Sequence, residues 1–185
     1  KTVQNILEYS SGITNRVRAM TKQIEATGSK AKVAVTRKHF PGTKTISLNA
    51  ALLGGAIVHR AGLSESILVF DQHRVFCTDP ISAVRLAKEQ EPEKKIAVEV
   101  DNEEEGIKYI NAGADIIQCE RFSPEMLKSF VARAKEIKAD VIINAAGGIN
   151  DTNTYEYAQT KVDVLVTSWV YFGRPFDIKM KISSE

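Results

Sequence analysis

Three features are scarce in this chain of 185 residues: cysteine, long apolar runs and an excess of charge of one sign. The two cysteines, Cys77 and Cys119, lie far apart without metal-ligand spacing, which favours a reduced cytoplasmic compartment over a disulfide framework. No apolar run reaches the roughly 18 residues of a membrane span, and no charged-then-apolar amino terminus indicates a signal peptide. A net charge of +2 is too small to indicate nucleic acid. We therefore expect neither a membrane nor a nucleic acid as a partner.

Short runs of β-branched residues are abundant by contrast, and hydrophobic residues make up 43% of the chain, enough for the core of one domain. These runs predict six strands, at 32–36, 66–70, 95–100, 114–119, 140–145 and 163–167. Helical patterns separate most of them. The clearest are 80–90 and 123–137, the second with Ser123 as N-cap and Pro124 at its first position. The alternation predicts a parallel α/β sheet covered on both faces, either a closed or nearly closed barrel or, second, an open doubly wound sheet.

Both ends of the chain lie outside this repeat. Residues 1–28 predict a leading helix with Gly28 as its stop, and residues 29–170 hold the predicted barrel. Within the final segment, 171–185, residues 176–182 alternate like a half-exposed strand that has no partner in the repeat. Lys1 opens directly into helical sequence without a methionine, which indicates a fragment of a longer protein.

Cationic residues cluster around the first two predicted strands. Arg37 and Lys38 follow the first strand, His59 and Arg60 precede the second, and His73 comes shortly after it. Ligands of parallel α/β folds bind at the carboxyl ends of strands, where these residues are expected to meet. Arginine offers a planar pair of donors that suits carboxylate or phosphate groups, so this cluster predicts an anion site.

Later strands end in a different chemistry. Glu99 and Glu120 follow the third and fourth strands and suit Mg²⁺ or a developing positive charge. The last two strands end in Gly147-Gly148 and Thr167-Ser168, whose backbone N–H groups and hydroxyls suit a phosphate. Each residue alone has an ordinary structural interpretation, such as a solvated turn. Together they predict a doubly anionic substrate with a metal.

Several segments in their order resemble the quinolinate phosphoribosyltransferase (nicotinate-nucleotide pyrophosphorylase) family, especially its molybdenum-transport-associated ModD branch. These segments are TRKHFPGTK, HRAGLSES, FDQHR, VEVDNEEE, AGADIIQCE, AAGGI and FDIKMKI. The resemblance implies an open α/β barrel of six parallel strands, preceded by a sandwich domain that this sequence lacks and to which the C-terminal strand would return. It also implies a homodimer or higher assembly, in which a neighbouring subunit closes the active site.

The resemblance implies a reaction as well: a pyridine dicarboxylate is joined to phosphoribosyl pyrophosphate (PRPP) with Mg²⁺, and pyrophosphate and carbon dioxide are released. The positions of Arg37, Lys38, His59 and Arg60 match the residues that hold the carboxylates. Glu99 matches an acidic residue near the ribose and Mg²⁺, and Glu120 stands where the family usually has Asp. Gly147 and Gly148 match the phosphate turn.

Departures from the family pattern favour a different acceptor, still small, anionic and nitrogen-heterocyclic. Phe70 replaces a strand-end lysine, Asn144 replaces an acidic residue, Ala146 replaces a serine, and Ser168-Trp169 replaces a Gly-Ala pair. An alternative is a non-catalytic oxyanion- or nucleotide-binding protein linked to molybdenum metabolism. A Schiff-base aldolase is disfavoured, because Lys94 and Lys95 lie at the wrong end of their strand.

Overall fold

The structure is a computed structural model, and it describes residues 1–183 of the chain. Its strands are β1 Lys32–Val35, β2 Ile57–Val58, β3 Ile67–Val69, β4 Ile96–Val100, β5 Ile116–Glu120, β6 Ile142–Ala146 and β7 Val164–Thr167. Its helices are α1 Thr2–Ala26, α2 Lys44–Leu53, α3 Asp71–Arg74, α4 Pro80–Gln90, α5 Glu103–Asn111, α6 Pro124–Ile137 and α7 Thr154–Ala158. A short 3-10 helix, Trp169–Tyr171, follows β7. Within the described part, no helix combines the length and apolar character needed to cross a bilayer.

The seven strands form one parallel sheet in the order β2, β1, β7, β6, β5, β4, β3. Because β7 pairs with β1, the sheet curls back on itself as a barrel does, without the reversal of a doubly wound sheet. Among the described residues β2 and β3 do not pair, which leaves a seam between them. The predicted nearly closed barrel is confirmed, and the doubly wound alternative is not the fold.

Each of the six predicted strands is present, and the structure adds one more, Ile57–Val58. This strand is two residues long, too short to produce an alternating pattern in the sequence. It is defined by its pairing with β1, in which Ala34 and Val35 lie opposite Ile57 and Val58. A tertiary contact rather than a local preference therefore makes it a strand.

Side-chain caps fix where two of the helices begin. The carboxylate of Asp79 accepts hydrogen bonds from the N–H groups of Ile81 and Ser82, both at 3.1 Å, at the start of α4. The hydroxyl of Ser123 accepts from the N–H of Met126 at 3.2 Å at the start of α6. Each cap is worth about 1 kcal/mol. Both helices have the bounds that the sequence predicted.

The two faces of the sheet bury different residues. One large cluster joins the outward-facing apolar residues of the strands to the helices, among them Ile13, Val17 and Met20 of α1 and Phe130 of α6. A small separate cluster of Ala34, Ala146, Val166 and Val164 faces the barrel interior. Small residues leave the interior room for polar side chains and a ligand.

Two aspartates hold the amino-terminal ends of neighbouring strands together. Asp115, just before β5, accepts from the N–H of Ile96 at 2.9 Å and pairs with Lys88 at 2.7 Å. Asp163, just before β7, repeats the arrangement with the N–H of Ile143 at 2.8 Å and a lysine of α6 at 3.0 Å. These carboxylates stabilise the end of the barrel opposite the strand carboxyl ends.

The C-terminal segment lies along α1. The N–H of Phe176 donates to the carbonyl of Glu8 at 2.9 Å, and the guanidinium of Arg16 donates to the carbonyls of Val170 and Arg174 at 2.7 and 2.8 Å. Residues 176–182, predicted as a strand, pair with no strand among the described residues. The last two residues of the predicted segment 171–185 lie outside the described residues, so its pairing with a second domain stays a prediction.

Packing of α6 against α5 generates a stability prediction. Phe130 is 0% exposed, and its ring lies so close to Gly106 that a Cβ there would meet the ring at 2.5 Å. Phe130→Ala should therefore lower the free energy of unfolding by about 3–5 kcal/mol, because it removes a buried ring and leaves a cavity. Urea unfolding monitored by circular dichroism measures this change.

The matched control is Phe76→Ala, because Phe76 is 89% exposed. It should change the free energy of unfolding by less than about 0.5 kcal/mol. Equal effects of the two substitutions would contradict the placement of Phe130 in the core.

Candidate active site

A cavity of about 1050 Å³ opens at the carboxyl ends of the strands. Ten of the eleven predicted site residues line it, namely Arg37, Lys38, His59, Arg60, Glu99, Glu120, Gly147, Gly148, Thr167 and Ser168. The exception is His73. Its Nδ1 accepts a hydrogen bond from the N–H of Phe70 at 3.0 Å, at the start of α3. The prediction of His73 as a substrate ligand therefore finds no support in its placement, and Gln72 lines the cavity at this point instead.

Cations line one side of the cavity. The N–H of His59 donates to the carbonyl of Val35 at 3.0 Å, which holds His59 and Arg60 beside Arg37. Burial, followed by the charge of Arg37, lowers the pKa of Arg60 from its ordinary value. Burial and then the charge of Arg60 lower the pKa of His59, which favours its neutral form. Among residues 1–183, no ion pair within 4 Å involves Arg37, Lys38 or Arg60, so this side attracts anions.

The loop that carries Arg60 is held in place by polar contacts. Lys44 donates from Nζ to the carbonyl of Ala61 at 2.8 Å, and the N–H of Ala61 donates to Glu65 at 2.7 Å. Lys44 was not predicted as a site residue. Lys44 and Ala61 are 17 residues apart in the sequence, so no local pattern links them, and only the fold brings them together.

An aromatic ring closes the barrel seam beside the cations. Phe70 follows β3, and the guanidinium carbon of Arg60, which follows β2, lies 5.7 Å from the centre of its ring. This is the geometry of a cation–π contact. The edge strands β2 and β3, which do not pair with each other, are thus joined at the cavity mouth by side chains rather than by backbone hydrogen bonds.

Two carboxylates line the opposite side. Glu99 lies near the end of β4 and Glu120 at the end of β5, and Gln118 donates from Nε2 to Oε2 of Glu99 at 2.6 Å. Burial raises the pKa of Glu99, and the negative charges of Glu120 and Asp101 raise it further, against the opposing effect of the bond from Gln118.

The residues present suit Mg²⁺ only when a substrate supplies further ligands. In the described part of the chain, no group of three or more His, Cys, Asp or Glu side chains is arranged to hold a metal ion. Magnesium commonly binds through one or two carboxylates together with substrate phosphates and water. Glu99 and Glu120, which line one cavity, fit that mode.

A glycine turn after β6 forms another part of the wall. Gly147 and Gly148 have φ angles of +85° and +80°, a region that favours glycine. A Cβ on Gly147 would meet Oε1 of Glu120 at 2.7 Å, whereas a Cβ on Gly148 would meet nothing within 4 Å. The carbonyl of Gly148 accepts from the side-chain amides of Asn150 and Asn153, both at 3.1 Å. The turn is therefore rigid, tightly packed on one side and open to the cavity on the other.

The hydroxyl of Thr167 supports this turn from within. It donates to the carbonyl of Ile149 at 2.7 Å and accepts from the N–H of Trp169 at 3.0 Å. Since its one hydrogen is already donated, Thr167 is a poor candidate for donating to a phosphate through its side chain. Ser168, the next residue, is half-buried and lines the cavity beside Trp169.

Two buried amides beneath the mouth were not predicted as site residues. Gln118 on β5 and Asn144 on β6 are register partners, and each is 5% exposed or less. Their side-chain oxygens have no hydrogen-bond partner among the described residues. A sequence signal did exist, since each amide interrupts an otherwise apolar strand, IIQCE and IINAA.

Sequence comparison gives the family of this fold and site. The family described as "Quinolinate phosphoribosyl transferase, C-terminal domain" matches residues 13–181. The chain belongs to this family, as its sequence predicted.

Particular relatives narrow the resemblance. The chain is 36% identical over 188 residues to "Putative pyrophosphorylase ModD" of Pasteurella multocida, covering 100% of this chain and 67% of the relative. It is 34% identical over 185 residues to the protein of the same name in Escherichia coli O6:H1, covering 98% and 65%. The chain thus spans about two thirds of the length of these curated relatives.

A solved structure supports the same relationship. The nicotinate-nucleotide pyrophosphorylase of Francisella tularensis superposes with a TM-score of 0.87 at 28% identity, covering 96% of this chain and 62% of that chain. Both the fold and the sequence therefore agree with the family assignment.

The raised pKa of Glu99 predicts a pH-dependent stability. A carboxyl whose pKa is raised by folding stabilises the protein when protonated, and this contribution is lost as pH rises from the unfolded to the folded pKa. Glu99→Gln keeps the shape and removes the ionisation. The variant should unfold at a higher temperature than the unaltered protein at pH 7.5, by about 2–4 °C for each kcal/mol gained. The difference should shrink near pH 4.

Glu93→Gln is the control, because Glu93 is exposed in the loop before β4. Calorimetry at both pH values should show no comparable gain for this variant. The relevant quantity is the gain in stability of Glu99→Gln over the unaltered protein. A gain that is smaller at pH 7.5 than at pH 4 would contradict the stated cause.

Proposed function

We propose that this protein is a phosphoribosyltransferase that transfers ribose 5-phosphate from PRPP to a small carboxylated nitrogen heterocycle. The bond from ribose C1 to the pyrophosphate oxygen breaks, pyrophosphate leaves with the electron pair, and a ring nitrogen of the acceptor forms the new bond. The observation that carries the proposal is the meeting of unpaired cations, two carboxylates and a rigid glycine turn in one cavity of about 1050 Å³. A cavity of this volume has room for two small substrates.

The cationic side is assigned to the acceptor. Arg37, Lys38 and Arg60 have no carboxylate partner in the described structure, and the neutral form of His59 can donate one hydrogen bond. Charged hydrogen bonds from arginine to carboxylate are short and directional, so they would hold an acidic ring in one orientation. The acceptor nitrogen would then face the carboxylate side of the cavity, where the ribose is assigned.

The carboxylate side is assigned to the ribose and its leaving group. Positive charge develops on the ribosyl carbon as pyrophosphate leaves, and fixed carboxylates stabilise that charge best in a site with little water. Glu120 packs against Gly147, and Glu99 is held by Gln118, so neither needs to reorganise. Mg²⁺, held by these carboxylates and the substrate phosphates, would offset the charge of the departing pyrophosphate.

The glycine turn is assigned to a phosphate. Gly148 has open space where a side chain would be, so an anion can approach its backbone. Successive backbone N–H groups in left-handed conformations form a concave anion site. Trp169, at the cavity wall beyond Ser168, is placed to limit the depth of this part or to pack on a ring.

A second function has one observation in its favour. The wall carries Phe70 where the family resemblance implies a lysine, and its ring contacts Arg60. A protein with this wall could bind PRPP or another oxyanion without turnover, as a sensor linked to molybdenum metabolism. Release of pyrophosphate separates the two functions, because a sensor binds PRPP and releases none.

Assembly and location complete the proposal. We extend it to a homodimer or larger assembly in the cytoplasm, with a preceding sandwich domain as the family resemblance implies. Exposed apolar residues on α1 and in the C-terminal segment, including Val3 at 70% and Ile182 at 89%, suit burial against other protein surfaces. Binding should therefore be measured with the full-length protein, in which these surfaces would be covered.

Replacing one cation tests the division of the cavity. Arg37→Ala should weaken binding of a carboxylate acceptor by about tenfold to a hundredfold, since a charged hydrogen bond is worth about 1.5–3 kcal/mol. Binding of Mg²⁺-PRPP should change far less. Isothermal titration calorimetry with quinolinate or nicotinate as the acceptor, and separately with PRPP, measures both constants.

Arg85→Ala is the control, because Arg85 is exposed on α4 away from the cavity. It should leave both constants unchanged. Equal losses of acceptor and PRPP affinity in Arg37→Ala would overturn the assignment of the cations to the acceptor.

A further inference from the structure

Three polar side chains form a row inside the barrel, below the cavity mouth. Glu99, Gln118 and Asn144 are Cα partners across the adjacent strands β4, β5 and β6. Residues in register on parallel strands point to the same face of the sheet. The next pair towards the mouth is Glu120 and Ala146, so the row lies one layer deeper than Glu120, and Glu99 belongs both to the row and to the proposed ribose site.

The row contains two unused hydrogen-bond acceptors. Gln118 donates from Nε2 to Glu99 at 2.6 Å, which fixes the direction of its amide and turns Oε1 away from that carboxylate. Oε1 of Gln118 and Oδ1 of Asn144 are buried without a partner in the described structure. Gln118 is 5% exposed and Asn144 is 3% exposed. Leaving such a group unpaired costs about 1–3 kcal/mol, so a donor is expected to reach them.

In the described structure, no donor lies within hydrogen-bond distance of these two oxygens. The inward cluster next to the row consists of Ala34, Ala146, Val166 and Val164, which carry no polar side-chain atoms. Leu68 and Phe70 line the same cavity and add further apolar surface. Glu99 and Gln118 line the cavity, so a ligand in the cavity can contact this part of the row, and Asn144 is the register partner of Gln118 on the next strand.

We propose that Gln118 and Asn144 form an acceptor pair for an N–H group of the heterocycle that receives the ribose. The heterocycle would then carry an acidic group towards Arg37 and Arg60 and an amino, amide or ring N–H group towards this pair. The nitrogen that attacks the ribose is a different atom, because it needs its lone pair. This inference rests on the proposed phosphoribosyl transfer and specifies the class of its acceptor.

A ring acid without an N–H group at this point would leave both amide oxygens unpaired. Sites built around buried polar groups reject analogues that leave those groups unpaired by large factors. We therefore expect nicotinate to bind less tightly than an amino-substituted nicotinate.

Matched ring acids provide the test. Titration calorimetry of the full-length protein would compare nicotinate with 2-aminonicotinate and 6-aminonicotinate, with Mg²⁺-PRPP binding measured separately. At least one of the two aminonicotinates should bind about tenfold more tightly than nicotinate, because it forms one more buried N–H hydrogen bond. Equal affinities for all three acids, in a protein that binds PRPP, would overturn the acceptor pair and leave the transferase proposal standing. Absence of PRPP binding would count against the transferase itself.

Two near-isosteric variants locate the effect. Gln118→Met and Asn144→Leu remove the amide oxygens. Each variant should therefore bind the preferred aminonicotinate and nicotinate with nearly equal affinity. Gln90→Met, on the exposed end of α4, is the control and should keep the preference of the unaltered protein. Asn144→Leu removes an unpaired buried acceptor, so urea unfolding should show undiminished stability. Gln118→Met also removes the hydrogen bond to Glu99, so a moderate loss of stability is expected for that variant. A preference that survives in both variants would show that other groups cause it and would overturn the proposal.

Discussion

Pairing of β7 with β1 is the constraint on which the site depends. Four register pairs join these strands, and the connection continues beyond them, because the N–H of Thr36 donates to the carbonyl of Thr167 at 3.1 Å. The hydroxyl of Tyr171 donates to the carbonyl of Thr36 at 3.0 Å. This closure brings the loop after the first strand beside the turn after the last one. Without it, the cations and the glycine turn would lie at opposite edges of an open sheet.

Because the sheet curls back on itself, the cations and the carboxylates lie on opposite sides of the cavity. Cations follow β1 and β2, carboxylates end β4 and β5, and the glycine turn with Trp169 lies between them on one side. On the other side, the seam between β2 and β3 is spanned by Arg60 over Phe70. In the described part of the chain, no ion pair within 4 Å joins Arg37, Lys38 or Arg60 to these carboxylates, which leaves both sets available to a ligand. Burial is the main reason why the pKa of Glu99 is raised, and the charge of Lys38 opposes that effect.

Local patterns predicted much of this arrangement. β-Branched runs predicted six of the strands, and caps predicted the bounds of α4 and α6. The position of polar residues after strands brings ten of the eleven candidate residues to one cavity, and their roles stay a prediction. Prediction failed where a contact between distant segments decides the structure. Ile57–Val58 is a strand only because β1 pairs with it, and the hydroxyl of Thr167 is occupied only because Ile149 lies opposite. For His73 the reason is local, since α3 begins at Asp71 and the ring accepts from the N–H of Phe70, which places it outside the cavity. Its role as a substrate ligand stays a prediction.

Thermal unfolding of the full-length protein with PRPP, in the presence and absence of Mg²⁺, tests the central claim most directly. A ligand at a hundred times its dissociation constant adds about 2.7 kcal/mol of stability. The midpoint should rise by roughly 5–10 °C for a domain of this size, and the rise should require Mg²⁺. An unchanged midpoint under both conditions would contradict it, because the carboxylates and glycine turn would then serve a different anion.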